Sequence, residues 1–355
     1  MKSRTKLFRS LSVACLLTGA SLARAIPVEL KDSNDTKYWV NTDVDFTNTS
    51  NASGALTNAT YTKPVTVTST WIAFTPWFGF TTVYTVQYEV NIPLEPAFLG
   101  FNGLLVVGYG GQSLGSPLVY NPSMQLASQE CEQNGENRQL VFQPQTFATH
   151  DLQLQRKVFV PHNDDYARWI NIITNTSGTQ TAEVDVSLLG KLGSTDNTTV
   201  KATSTGDSSL GVQDTWFTTA QVLPDNAQSF QPKLGFVVQG EGATSPATSL
   251  GISTQAPTAG QTAATYTLSI PPGESQIILT YTTVQGKPKQ AKKTCENLVG
   301  LPSKALTCLT EDELAQVVNF APITPPVTTK AQIKLNFKKA AEGGVPKWAG
   351  RWARR

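Results

Sequence analysis

The sequence predicts a mainly β protein: antiparallel strands in a sandwich, closed by two or three short C-terminal helices. Three observations carry that expectation. Between Phe80 and Tyr281, short runs alternate apolar and polar residues with a period of two. Breaks rich in Asn, Asp, Gly and Ser separate those runs, most densely between Arg156 and Trp216. After Lys287 the apolar spacing lengthens to that of a helix.

The elements follow in chain order. Lys2, Arg4, Lys6 and Arg9 form a basic start, Leu11 to Leu22 is a short apolar stretch, and Ala23-Arg24-Ala25 offers small residues to a signal peptidase. The stretch is shorter than the ~20 residues a spanning helix needs, so cleavage after Ala25 and export are expected. Cys15 raises the alternative of a lipid-modified start, which Ser12-Val13-Ala14 fit poorly. No later run is long and apolar enough for a second span.

Residues 26–130 form an aromatic-rich part of the expected sandwich, 131–286 a middle part and 287–320 a helical closure, with 321–355 a Pro-containing linker and basic tail. The clearest early strand lies within Phe80 to Leu94, where Tyr84, Val86, Tyr88 and Val90 share one face. Leu104 to Tyr109 reads as a core strand ending in a Gly110-Gly111 turn. Val184, Val186 and Leu188 alternate with Glu183, Asp185 and Ser187. Ile170 and Ile172 alternate with Trp169, Asn171 and Ile173, so both faces there are apolar and both are expected to be covered. Tyr266, Leu268 and Ile270 lead into Pro272-Gly273, which suits a type II turn, and Ile277 to Tyr281 returns as a buried run. Ala291, Cys295 and Leu298 then have helical spacing. Thr310 to Glu313 form a capping box, with Leu314, Val317 and Val318 on one face of the helix it starts.

The formal charge of +2 conceals a layout. Five basic residues belong to the expected signal, and seven basic groups against Glu342 belong to the last 25 residues, which leaves an acidic body of −9 over residues 26–330. Nucleic acid is not expected as a partner. The tail, with Trp348 and Trp352, suits either a solubilising end or contact with an anionic surface.

Removing the signal leaves Cys131, Cys295 and Cys308, hence at most one internal bridge. Cys295 with Cys308 is the expected pair, being near in sequence; the alternative is two small core residues. His150 and His162 lack metal-ligand spacing, and no Gly-x-Ser-x-Gly elbow nominates a serine. Asp164, Asp165, Asp196 and Asp207 lie in successive breaks, with Asp214 near them. Three readings are open: ordinary turn residues, calcium ligands, or an acid/base pair flanking a glycosidic bond. Trp71 and Trp77, in WIAFTPWFGF, form a candidate sugar-stacking patch, whereas Trp in a β protein of this size also serves as core.

RKVFVP, RWINIITN, Gly193-Ser194-x-Asp196, TSTGD and Asp214-x-Trp216 together resemble an uncharacterised exported β-sandwich module of bacterial surface proteins. SIPPGESQIILTYTTVQ and LVGLPSKALTCLTEDELAQVVNF look like its closing strands and helices, and the likeness covers roughly residues 135–320. The resemblance implies a large two-sheet, supersandwich-like fold and no catalytic residues. The resulting expectation is a non-catalytic structural, adhesive or ligand-binding protein at the cell surface or outside the cell, with a glycan or envelope component as partner. A carbohydrate-active enzyme or glycan-binding module of supersandwich type is the alternative.

Overall fold

The computed structural model describes residues 27–42, 55–60, 62–74, 81–93, 96–122, 126–222, 231–253 and 258–323. The expected signal, the tail beyond 323 and Trp77 lie outside them. Two antiparallel sheets share one core. The first orders its strands β1 (Val28–Lys31), β2 (Lys37–Val40), β3 (Leu56–Thr60), β6 (Phe98–Tyr109), β13 (Ala182–Leu192), β18 (Gln261–Ile270) and β17 (Ala247–Ile252), with β7 (Gln112–Val119) also on β6. The second orders β14 (Thr198–Thr203), β15 (Trp216–Gln221), β16 (Lys233–Val237), β19 (Ser275–Gln285), β12 (Ala167–Asn175), β11 (Leu152–Phe159), β9 (Glu136–Phe142) and β8 (Leu126–Gln133), with β10 (Gln145–Phe147) on β11. A two-stranded ribbon, β4 (Thr62–Phe74) with β5 (Thr81–Pro93), pairs without a register shift and joins β3 to β6.

The alternation read from the sequence decides what the sheets bury. Val184 and Val186 of β13, Tyr266 and Leu268 of β18, and Leu104 and Val106 of β6 meet Leu152, Leu154, Trp169, Ile173 and Ile278 of the second sheet. Burying an aliphatic side chain of this kind is worth about 1.5–3 kcal/mol. The Gly110-Gly111 turn has both residues at positive φ, 60° and 74°, a conformation that costs glycine little. Gly273 at φ 73° fits the third position of a type II turn.

The second sheet is apolar on its outer face as well. Ile170, Val237, Ile277, Leu279 and Tyr281 form a second core with Cys295, Leu298 and Ala305. The helical segment therefore lies flat on that outer face as a third layer. Helix α1 (Pro288–Val299) starts with proline in its first turn, where the missing N–H costs nothing, and buries Ala291, Cys295 and Leu298. It approaches closely at Gly235, where a Cβ would stand 2.5 Å from the Cys295 sulfur.

Helix α2 (Glu311–Gln316) carries the capping box in full: Thr310 Oγ1 accepts from the Glu313 amide, and Glu313 accepts from the Thr310 amide at 2.9 Å. It is shorter than the sequence suggested, and Val317 and Val318 leave it. The Val318 amide donates to the Ile277 carbonyl at 3.1 Å, and Val317 forms a parallel bridge to Ile277. The Asn319 amide then donates to the carbonyls of Val238 and Leu279 at 2.7 Å each. β16 reaches only the far half of β19, so the Val318 amide and the Asn319 side chain supply partners to the backbone of the other half.

The disulfide differs from expectation. Cys131 on β8 joins Cys308, 177 residues away, with Cα atoms 5.9 Å apart. Cys295 is a buried free thiol whose pKa burial raises. The apolar spacing of α1 buries Cys295 against the sheet beside Gly235, whereas Cys308 follows the Ser303–Leu306 turn and meets β8. In the chain-entropy model a loop of this length is worth about 5 kcal/mol, against about 3 for the shorter loop.

Candidate functional site

Asp164 and Asp165 sit in the connection between β11 and β12, at one end of the sandwich. Asp164 forms an ion pair with Lys304 of the 3-10 turn Ser303–Leu306, and its carbonyl accepts from the Ser33 amide at 3.1 Å. Asp165 accepts from Gln285 at the end of β19 and from Thr294 of α1 at 3.2 Å. Both carboxylates therefore tie the third layer to the sheet, and the Asp164 carbonyl ties in the β1–β2 turn. Their near neighbours are donors, the reverse of what a cation requires.

Asp207 closes its own turn, accepting from Thr203 Oγ1 at 3.1 Å and the Ser209 amide at 2.9 Å. The Asp196 backbone lies in the 3-10 turn Thr195–Asn197, and its side chain is outside the described residues. Asp214 is buried, which alone would raise its pKa. Hydrogen bonds from Gly211, Thr205 and Ser204 outweigh this and hold the carboxyl below its ordinary range. Among the described residues no three His, Cys, Asp or Glu side chains are grouped to hold a metal ion.

The tryptophans divide. Trp169 and Trp216 are core residues, in the first and second core respectively. Trp71 lies on β4 opposite Tyr84, and its side chain is outside the described residues, as is Trp77.

Several buried polar groups were not singled out from the sequence. Asp32, in the β1–β2 turn, accepts from the amides of Asn34 and Thr36 at 2.8 and 3.0 Å and from Tyr38 OH at 3.2 Å. Burial pushes its carboxyl up to about 7, against the lowering effect of those bonds. Arg156 falls in the same inward series as Leu152, Leu154 and Val158, so it enters the core between the sheets. There it donates to Asn171 Oδ1 at 2.8 Å and lies 5.9 Å from the Tyr120 ring. Burial lowers its guanidinium to about 9. Arg168 points the other way. It donates to the carbonyls of Ala305 and Thr307 at 2.8 and 2.7 Å, and stacks over Phe159 at 4.5 Å. The signal for Arg156 was its place in the period of two; nothing local marked Asp32.

Chemically, the arrangement holds parts together. Each candidate carboxylate with a described side chain is occupied by a partner within the fold, and both arginines are sealed from solvent.

No family model matches the chain, and no curated protein does. Among solved structures it is similar to a polysaccharide lyase, at 12% identity over 64% of this chain and 34% of that one, with a TM-score of 0.34. It is also similar to a provisional kojibiose phosphorylase from the human microbiome, at 10% identity over 79% of this chain and 34% of that one, TM-score 0.40. A third likeness is to a protein of Synechocystis sp. PCC 6803, at 12% identity over 74% and 96%, TM-score 0.36. The chain spans about a third of the length of the first two. Likenesses this distant assign neither activity nor ligand.

Proposed function

We propose that this chain is an exported, non-catalytic β-sandwich scaffold that works at the cell surface or outside the cell. The observation that supports this most is the employment of Asp164, Asp165 and Asp207. Each is bonded to groups of its own fold, and two of them pin the helical layer to the sheet. A glycosidase needs one carboxyl free to donate a proton and another free to attack or to activate water. Carboxylates already serving as structural acceptors are poor candidates for both tasks.

The Cys131–Cys308 bridge supports the compartment, because disulfides persist in oxidising surroundings and are rare in the cytosol. The signal-like start agrees with it. The test takes the purified mature protein through a polysaccharide panel with reducing-end and unsaturated-product readouts, beside N-terminal sequencing. The expected result is no turnover and a chain beginning at Ile26. Turnover that disappears in Asp164→Asn or Asp207→Asn protein overturns the non-catalytic reading, and an intact Met1 overturns the proposed cleavage.

A further inference from the structure

A cavity of about 40 Å³ lies between the two sheets, walled almost wholly by carbon, with Phe101, Phe236 and Leu250 among its lining. Space for a single water begins at roughly 10–15 Å³ and a cavity that holds benzene has about 150 Å³, so this cavity admits a group of two or three heavy atoms. One polar side chain in its wall is incompletely satisfied. Asn102 is 3% exposed, its amide nitrogen donates to Thr280 Oγ1 at 3.3 Å across the sandwich, and its Oδ1 has no partner.

A bulge aims it there. On β13, Leu189 pairs with Gly103 and Gly190 with Phe101, so Asn102 is passed over in the ladder and stands at φ 67°. Opposite it, Gly190 has no room for a side chain: a Cβ would lie 2.5 Å from the Phe101 ring. A buried amide oxygen without a donor costs about as much as a lost hydrogen bond, so a ligand group that bonds it gains what the empty fold forgoes. A buried water is the wrong filler, because it seeks two to four polar partners and the wall presents one that is unpaired.

We propose that this cavity is a binding site for a small aliphatic alcohol, its alkyl part against the phenylalanines and its hydroxyl on the Asn102 amide. A hydroxyl suits the site whichever way the amide is turned, since it can donate to the oxygen or accept from the nitrogen. Leu250 of β17, the least buried residue of the first core at 9% exposure, forms part of the wall. The site does not depend on where the protein resides or on whether it catalyses anything.

The probes are ethanol and propane, which differ in a hydroxyl against a methyl, followed by ligand-induced shifts in melting and by NMR on the full-length mature protein. Both are expected to bind, and Leu250→Trp is expected to exclude both. Asn102→Gly, which suits the positive φ, is expected to weaken ethanol relative to propane by roughly tenfold. An unchanged ratio, or no binding by either probe, overturns the proposal. So does an ordered water that stays on Asn102 at saturating ethanol. If Asn102→Gly does not fold, contacts between ethanol methyl protons and the rings of Phe101 and Phe236 in the unaltered protein decide the matter, and their absence overturns it.

Discussion

On its inner face the nine-stranded sheet buries Arg156; on its outer face, one strand away, it buries Arg168. Arg156 donates to Asn171 of the neighbouring strand in the same sheet and lies over the Tyr120 ring. Arg168 donates to two carbonyls of the Ser303–Leu306 region and to Gln139, so its bonds span two layers. The inner face is sealed mainly by apolar packing against the other sheet. The outer face is sealed by a short helical segment whose apolar contribution, with Cys295, Leu298, Ala305 and Phe320, makes a smaller core than the one between the sheets. It therefore needs directional fastenings: Arg168, the Lys157–Glu313 pair at 2.7 Å, Asp165 and the Cys131–Cys308 bridge. A short layer laid on a sheet is held by specific bonds where a sheet laid on a sheet is held by area.

The largest effect that would break this contrast is loss of the disulfide. Cys308→Ser is expected to cost about 2–5 kcal/mol in denaturant unfolding, with Cys295→Ser costing much less. Peptide mapping without reductant should return one bridge, Cys131 to Cys308. A bridged Cys295 would refute the layer geometry.

Next comes Arg168→Met, which leaves two carbonyls and the Gln139 side chain without their donor, and is expected to cost about 3 kcal/mol. Arg156→Met replaces a buried charge with a fitting apolar chain and is expected to cost about 1 kcal/mol, the unpaired Asn171 set against relief of desolvation. Equal losses in a thermal melt would erase the distinction between the faces. Amide exchange should also separate them: opening of α1 and α2 is expected to increase in the first variant alone.

A third effect is pH dependence at the β1–β2 turn. Asp32 ionises near 7 in the fold but near 3.8 when unexposed to it. Below both values the group is neutral in both states and its full contribution is present. As pH rises from about 4 to about 7 the unfolded chain releases the proton first, so stability falls, by at most about 4 kcal/mol. Asp32→Asn is expected to flatten this part of the stability–pH curve, and an unaltered curve would count against the buried carboxyl.

The smallest effect is Asp164→Asn. Its partner Lys304 is 64% exposed at the side chain, so solvent screens the pair and a loss of about 0.5 kcal/mol or less is expected. A loss of several kcal/mol would give this residue a share in fastening the outer layer equal to that of Arg168.

Much of the fold was legible because it depends on local repetition. The period of two in Val184–Leu188 and Tyr266–Ile270, the glycine turns, and the capping box at Thr310 each follow from residues within a few positions of one another. Even the double-faced burial of β12 showed in Trp169–Ile173, where neither face is polar. The candidate site was less legible. Asp164 and Asp165 look like turn residues in sequence, and only their partners from β19, α1 and the Ser303–Leu306 turn make them fasteners. Asn102 looks like an ordinary strand residue until the bulge opposite Leu189 and Gly190 is counted.

By itself, then, the sequence determined that strands alternate, where they break, and that helices follow, because each of these is fixed by short-range sterics and by the period with which apolar residues recur. The tertiary structure alone decided that the helices form a third layer, that Cys308 reaches back 177 residues to Cys131, and that an amide oxygen is left facing a cavity. These depend on which distant strands become neighbours. Many pairings satisfy the same local pattern, and only the packing of two cores on one sheet selects among them.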